Sequence, residues 1–235
     1  MTQYIHLGTI LSEGIQMSPG YQLRIGESID IKDTERGGKN NIRWVLVNGK
    51  LIADRNIFSR VSFSDLQELE FVQDKPVKID GQPYILRMLR DSQEWMNALD
   101  VVGDDDAVWH WSGQYSFLQK GGIDDDHAAG CCCTNPRNVD RMLRIQFRAR
   151  EFGWRPVLES MGPFFTELKR GSLMVIWGHN SVIKGKLKDI GEYDLVIQCP
   201  SAIGLHTEDV GKFAIQLPGG RAAVNKEAIV GFKLI

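Results

Sequence analysis

Cysteine is scarce in this chain of 235 residues: there are four, and three of them, Cys131, Cys132 and Cys133, are adjacent. Adjacent cysteines cannot supply the spaced pairs of a secreted disulfide framework, so reduced thiols are the expectation. The same crowding withholds the pair spacing of a zinc site, even with His127 close by. No run approaches the roughly 18 apolar residues of a membrane-spanning helix. The opening Met1-Thr2-Gln3-Tyr4-Ile5-His6 has neither a basic nor an apolar leader region. The expectation is a cytoplasmic protein of a bacterial or host cell, without membrane contact. A glycine-rich phosphate loop of known spacing is also missing, which argues against a nucleotide hydrolase. Helical periodicity is sparse.

What is there is a turn-punctuated pattern of short apolar segments, enough to bury a core in one large domain or two small ones. Net charge is only −2, but residues 1–135 hold 13 Lys and Arg against 20 Asp and Glu, whereas residues 136–235 hold 15 against 10. The C-terminal part therefore favours an anionic partner. Residues 30–41 are polar and glycine-rich and read as a surface loop. Trp44 to Val47, then Asn48-Gly49, then Leu51-Ile52, read as a hairpin, as do the alternating residues on either side of Asp80-Gly81. Short helices are expected from an N-cap at Ser64 and over Glu94 to Leu99.

Residues 141–150 alternate, with Leu143, Ile145, Phe147 and Ala149 on one side and Arg144, Gln146, Arg148 and Arg150 on the other. The pattern predicts one strand with a basic outer face, near Arg137, Arg141 and Arg155. Arginine forks match carboxylate and phosphate. Aromatic residues cluster at Trp95, Trp109, Trp111, Tyr115 and Phe117, where they can fill a core or line a recognition pocket. The pattern breaks after Glu159, at Ser160-Met161-Gly162-Pro163. Beyond it, a helical turn over residues 163–171 precedes five short strands near residues 172–177, 182–187, 193–198, 213–217 and 222–224, which would make a small closed barrel.

The run Gly185-Lys186-Leu187-Lys188-Asp189-Ile190-Gly191-Glu192-Tyr193-Asp194-Leu195-Val196-Ile197 resembles the first signature of the Sm/Hfq family. Asn225-Lys226-Glu227-Ala228-Ile229 resembles the second, the tight turn between its last two strands. Gly191 stands where the family usually has an acidic residue, and Glu227 where the bacterial version has His. The resemblance implies a five-stranded Sm-like barrel over 163–235, ring assembly by edge-strand pairing, and nucleic-acid contacts at Lys226 and Tyr193.

Glu94-Trp95, Asp104-Asp105 and Trp109-His110-Trp111, closed by Phe152-Gly153-Trp154-Arg155-Pro156-Val157-Leu158-Glu159, resemble C-type-lectin-like domains of the formylglycine-generating-enzyme type. Trp154 takes the place of a phenylalanine in that closing strand. The resemblance covers residues 60–159 and implies a recognition domain over 1–159, with 1–60 either a separate β-subdomain or part of the same sheet. Members occur in bacteria and phages as scaffolds that bind ligands or proteins. That family's paired catalytic cysteines have no counterpart here.

The expected fold class is therefore β-rich α+β, a C-type-lectin-like domain followed by an Sm-like barrel. The expected function is non-catalytic binding of a ligand or protein partner through Arg144, Arg148, Arg150, Trp109, Trp111 and Trp154, with the C-terminal unit driving homo-oligomer assembly or adding anionic contacts. The alternative is an RNA- or nucleotide-binding phage-type factor that sequesters a signal or blocks a nucleic-acid-guided defence. An enzyme using Cys131 to Cys133 is a third reading, and would need a thiol of depressed pKa. One sequence cannot place His110, His127 or His206 against a nucleophile, so no catalytic residue is assigned. No cofactor is assigned either; the alternatives are zinc at Cys131 to Cys133 with His127, and calcium at Asp104 to Asp106 or Asp124 to Asp126.

Overall fold

A computed structural model describes residues 2–24, 26–131, 134–199, 205 and 209–235. Within them four sheets and three short α-helices form a β-rich α+β protein. The first sheet runs in the order Tyr4–His6, Arg43–Val47, Lys50–Ala53, Pro156–Ser160, Gln82–Met88, Lys75–Ile79. Both expected hairpins are in it. Their turns, Asn48-Gly49 and Asp80-Gly81, have positive φ at both central residues (48° and 82°, 51° and 78°), the backbone that matches the twist of the strands on either side.

This sheet is buried on both faces, which explains the unbroken apolar run Trp44 to Val47. Trp44, Leu46, Leu51, Leu86 and Leu158 face a core shared with the second and third sheets. Val45, Val47, Ile52 and Val157 face Trp95, Ala98 and Leu99 of the helix Ser92–Val102, together with Trp109 and Cys131. That helix begins at Asp91, whose side chain accepts from the Glu94 backbone. The helix expected from Ser64 begins two residues earlier: Ser62 and Asp65 form a reciprocal capping box ahead of Phe63–Glu68.

The second sheet runs Val139–Arg144, His127–Cys131, Tyr115–Leu118, Phe152–Trp154, Phe58–Ser59, Tyr21–Gln22, and a third joins Ile15–Met17, Thr9–Ser12 and Ile29–Lys32. Strands before residue 60 thus complete the first and second sheets and also build the small third one. The loop expected over 30–41 is shorter than its composition suggested. Ile29 and Ile31 point inward from a strand, and only the segment after Lys32 is irregular.

The C-terminal sheet runs Ala214–Leu217, Arg221–Asn225, Asp194–Gln198, Val182–Ile190, Leu173–Trp177, Gly231–Leu234. All six strands contribute to one core that includes Met174, Leu187, Ile197, Val224 and Phe232, so the sheet curls around it. Two expectations change here. There are six strands instead of five, because Gly231–Leu234 returns to pair with Leu173–Trp177. The sheet is also open, because Ala214–Leu217 pairs only with Arg221–Asn225 and ends the order on that side. The helical turn over 163–171 contracts to a 3-10 turn at Phe165–Glu167. Although this unit has its own core, Trp177 is buried in the core of the preceding sheets, with Val175, Val182 and Val230 packed beside it. The break near residue 160 is therefore a change of sheet and not a gap between cores.

Candidate functional site

The aromatic candidates are mostly interior. Trp109 is fully buried, donates Nε1 to the Gly103 carbonyl (2.8 Å) and meets Trp95 edge to face at 5.1 Å. Trp154 is also fully buried, in an aromatic cluster with Phe71 (4.4 Å) and Phe58 (5.2 Å), whose own rings lie 5.9 Å apart. Neither ring can meet a ligand in this conformation, which corrects their assignment to a binding surface. The physical reason is that all three positions of Phe152–Trp154 are enclosed, so the usual in-out alternation does not apply. Trp111 is half-buried, with its Nε1 donating to the Asp104 carbonyl. Arg155 is also interior: it bonds Ser116 Oγ and the Ala53 carbonyl beneath Trp95, and burial lowers its pKa to about 10.

The basic segment stays at the surface, though in a different form. The strand stops at Arg144, because a turn closed by the Phe147 amide on the Arg144 carbonyl draws residues 145–150 onto the helix Phe63–Glu68. There the Ile145 carbonyl accepts from the Ser64 amide (3.0 Å), and Arg148 pairs with Asp65. Burial alone would raise the Asp65 carboxyl, but hydrogen bonds from Arg148 and the Ser62 backbone hold it below the usual range. Arg144, Arg148 and Arg150 therefore do not share one strand face.

Arg144 and Arg148 instead line two separate concavities along this segment, termed the ridge. One, of about 420 Å³, is lined by Asp126, His127, Arg144, Ile145, Gln146 and Phe147. The other, of about 670 Å³, is lined by Tyr21, Gln22, Leu23, Arg24, Arg60 and Arg148. Arg141, Arg144 and Arg150 are exposed, and their guanidinium groups make no ion pair among the described residues. Met142 and Phe147, which alternate with them along the chain, are each 58% exposed. Arg137 differs, since it pairs with Asp100 and Asp104. Tyr21, Arg24 and Arg60 carried no signal in the sequence, because nothing local to them announces that distant segments meet beside Arg148.

In the C-terminal unit the two signature segments come together. The Lys226 amide donates to the Tyr193 carbonyl (2.9 Å), and Lys226 Nζ donates to the carbonyls of Gly191 and Glu192. The Lys226 ammonium is thus engaged in joining two loops. Tyr193 is 71% exposed on a concavity of about 370 Å³ that includes Lys212, Ile215 and Asn225.

Both aspartate triplets have local partners. Asp105 caps the helix Asp106–Trp109, Asp106 accepts from the Ser112 amide, and Asp124 accepts from His127 Nδ1 (2.7 Å) and the Asp126 amide. Among the described residues no group of three or more His, Cys, Asp or Glu is arranged to hold a metal ion. Cys132, Cys133 and His206 lie outside the described residues. Sequence reasoning also missed a polar cluster at Asp54, which is nearly buried. Arg43 donates Nε to it (2.6 Å), Arg55 pairs with it, and His110 Nε2 lies 3.6 Å away. Arg43 also meets His110 Nε2 at 3.1 Å, and the ring's Nδ1 lies 3.0 Å from the Asp106 carbonyl. The ring is thus tethered at both nitrogens, a structural role.

No family model matches this chain, and neither a curated protein nor a solved structure matches it.

Proposed function

We propose that the chain is a non-catalytic binding protein in which a C-type-lectin-like unit, residues 1–159, presents the ridge 141–150 to an acidic protein partner, and an Sm-like unit, residues 163–235, buttresses it. The observation that carries this reading is the ridge itself. Arg141, Arg144 and Arg150 are exposed and unpaired among the described residues, Met142 and Phe147 are exposed in the same segment, and the segment is pinned by Ser64 and Asp65 and lines two concavities through Arg144 and Arg148. Exposed apolar side chains interspersed with arginine are the composition of a protein interface, and arginine forks recognise carboxylates in two-pronged fashion. The Sm-like reading draws support from the bulged strand Val182–Ile190 and from the 3-10 turn Lys226–Ala228, which joins the last two strands.

The test is fluorescence anisotropy with a labelled acidic peptide containing aromatic residues. Arg144→Glu with Arg150→Glu is expected to weaken binding about tenfold or more, since neither side chain supports the fold and each reversal places like charges together. Unchanged affinity counts against the ridge.

A second reading is favoured by the exposed ring of Tyr193 beside the joined loops 191–194 and 225–227. It makes the Sm-like unit an RNA- or nucleotide-binding surface, as in a phage-type factor that sequesters a signal or blocks a nucleic-acid-guided defence. Base stacking on Tyr193 would contribute about 1–3 kcal/mol, lost in Tyr193→Ala. Ring assembly fares less well, because the outer edge of Arg221–Asn225 is covered by a strand of the same chain, and Pro218 follows that strand. A monomer mass in light scattering, unchanged by salt, is expected.

A further inference from the structure

We infer that the concavity lined by Tyr21, Gln22, Leu23, Arg24, Arg60 and Arg148 is a binding site for a phosphate-bearing small molecule. The inference rests on the reading of the N-terminal unit as a binding scaffold, and it adds a second ligand class at a separate place. Its volume of about 670 Å³ lies within the range of small-molecule sites, roughly 300–1,000 Å³. The floor is built by a parallel pairing of Tyr21–Gln22 with Phe58–Ser59, extended by the Leu23 amide donating to the Ser59 carbonyl (3.2 Å).

Charge is what singles the site out. Three guanidinium groups line it, and the two neighbouring carboxylates are already committed. Asp65 accepts from Arg148 and from the Ser62 amide. Glu27 accepts from the Tyr21 hydroxyl (2.7 Å) and the Arg24 amide (3.1 Å), and the Arg24 side chain, 82% exposed, approaches it no closer than 3.9 Å. Arg60 has no hydrogen-bond or ion-pair partner among the described residues.

Arg60 also sits in the left-handed region, at φ 56°. A side chain is disfavoured there and glycine is not, so an arginine at this position spends stability to place a guanidinium at the concavity's rim. One free fork, Arg60, beside Arg24, which has only a 3.9 Å contact with Glu27, and Arg148, which is held by Asp65, suit the oxygens of a phosphate group. The half-buried Tyr21 ring gives the remainder of a small organic ligand an apolar wall.

Isothermal titration at low salt with inorganic pyrophosphate and with AMP tests this. Saturable one-to-one binding of both is expected, weakened about tenfold or more in Arg60→Gly, the loss expected for one charge-assisted pair. The midpoint temperature of that variant should be equal or higher, because glycine relieves the left-handed backbone. AMP should bind more tightly than inorganic phosphate through the Tyr21 wall; equal affinities would overturn the organic-ligand part. Arg144→Gln with Arg150→Gln, compared at about 0.15 M salt where the screening length is about 8 Å, should cost far less pyrophosphate affinity than Arg60→Gly does, so this site and the ridge can fail separately. No saturable binding by the wild type, or an affinity indifferent to Arg60→Gly, overturns the inference.

Discussion

Trp154→Ala is expected to lower the unfolding free energy by about 3–5 kcal/mol, the range for emptying a buried aromatic site. The ring is fully enclosed and packs nearly parallel to Phe58 at 5.2 Å and Phe71 at 4.4 Å. Each aromatic pair contributes roughly 0.5–1.5 kcal/mol beyond area burial, so the upper half of that range is expected. For a chain of this length the midpoint temperature should fall by roughly 10 °C, at about 2–4 °C per kcal/mol. Trp154→Phe is the control. Trp154 Nε1 is buried without a hydrogen-bond partner among the described residues, so phenylalanine keeps the stack and removes an orphan donor. A loss much smaller than that of alanine is expected for phenylalanine in thermal melts. Equal losses would mean that the indole nitrogen matters and the stacking does not.

Arg87→Ala is expected to cost a similar amount, about 3–5 kcal/mol, for a different reason. The Arg87 side chain is completely buried and holds Glu94 with two nitrogens, at 2.8 and 2.6 Å, while also pairing with Glu159. Its removal leaves two partly buried carboxylates with Lys50 as their one remaining ion-pair partner among the described residues, which costs more than the pair itself contributes. The effect has a pH signature. Burial by itself would raise the Glu94 pKa, but hydrogen bonds from Arg87, the Arg90 backbone and Lys50 bring it from 4.5 down to about 2. A carboxyl group with a lower pKa folded than unfolded contributes stability that is fully present above the unfolded value and is lost as pH falls through the folded one. Wild-type stability should therefore decline between about pH 4.5 and pH 2. The variant, lacking the partner, should decline less, so the gap between the two narrows in acid. A gap independent of pH would contradict the role given to Glu94.

Local signals were legible wherever the backbone itself demanded them. Asn48-Gly49 and Asp80-Gly81 form the turns their residue types require, and the short apolar segments of the C-terminal part became strands in the expected places. What the sequence hid was set by distant partners. The alternation from Leu143 to Ala149 is real, yet the strand ends at Arg144 because Ser64 and Asp65, some 80 positions earlier, offer a backbone donor and a carboxylate that a straight strand could not reach. Whether Trp109 and Trp154 fill a core or line a pocket was not legible, because tryptophan carries no mark that separates the two. Their burial follows from Trp95, Phe58 and Phe71, which no local pattern brings near. Arg24 and Arg60 were illegible for the same reason, since their meeting with Arg148 depends on the parallel pairing of Tyr21–Gln22 with Phe58–Ser59. The C-terminal sixth strand was hinted at only by the apolar Gly231 to Ile235 that follows the tight turn.

The most direct test of the ridge as the binding surface is one titration series at two salt concentrations. It compares the wild type, Arg144→Glu with Arg150→Glu, and Tyr193→Ala against a labelled acidic peptide and a 20-nucleotide single-stranded RNA. The account predicts that the wild type binds the peptide, that the double charge reversal weakens this about tenfold or more, and that Tyr193→Ala leaves it unchanged. Peptide binding indifferent to Arg144 and Arg150, or RNA binding alone with its affinity lost in Tyr193→Ala, would contradict it and move the function to the C-terminal sheet.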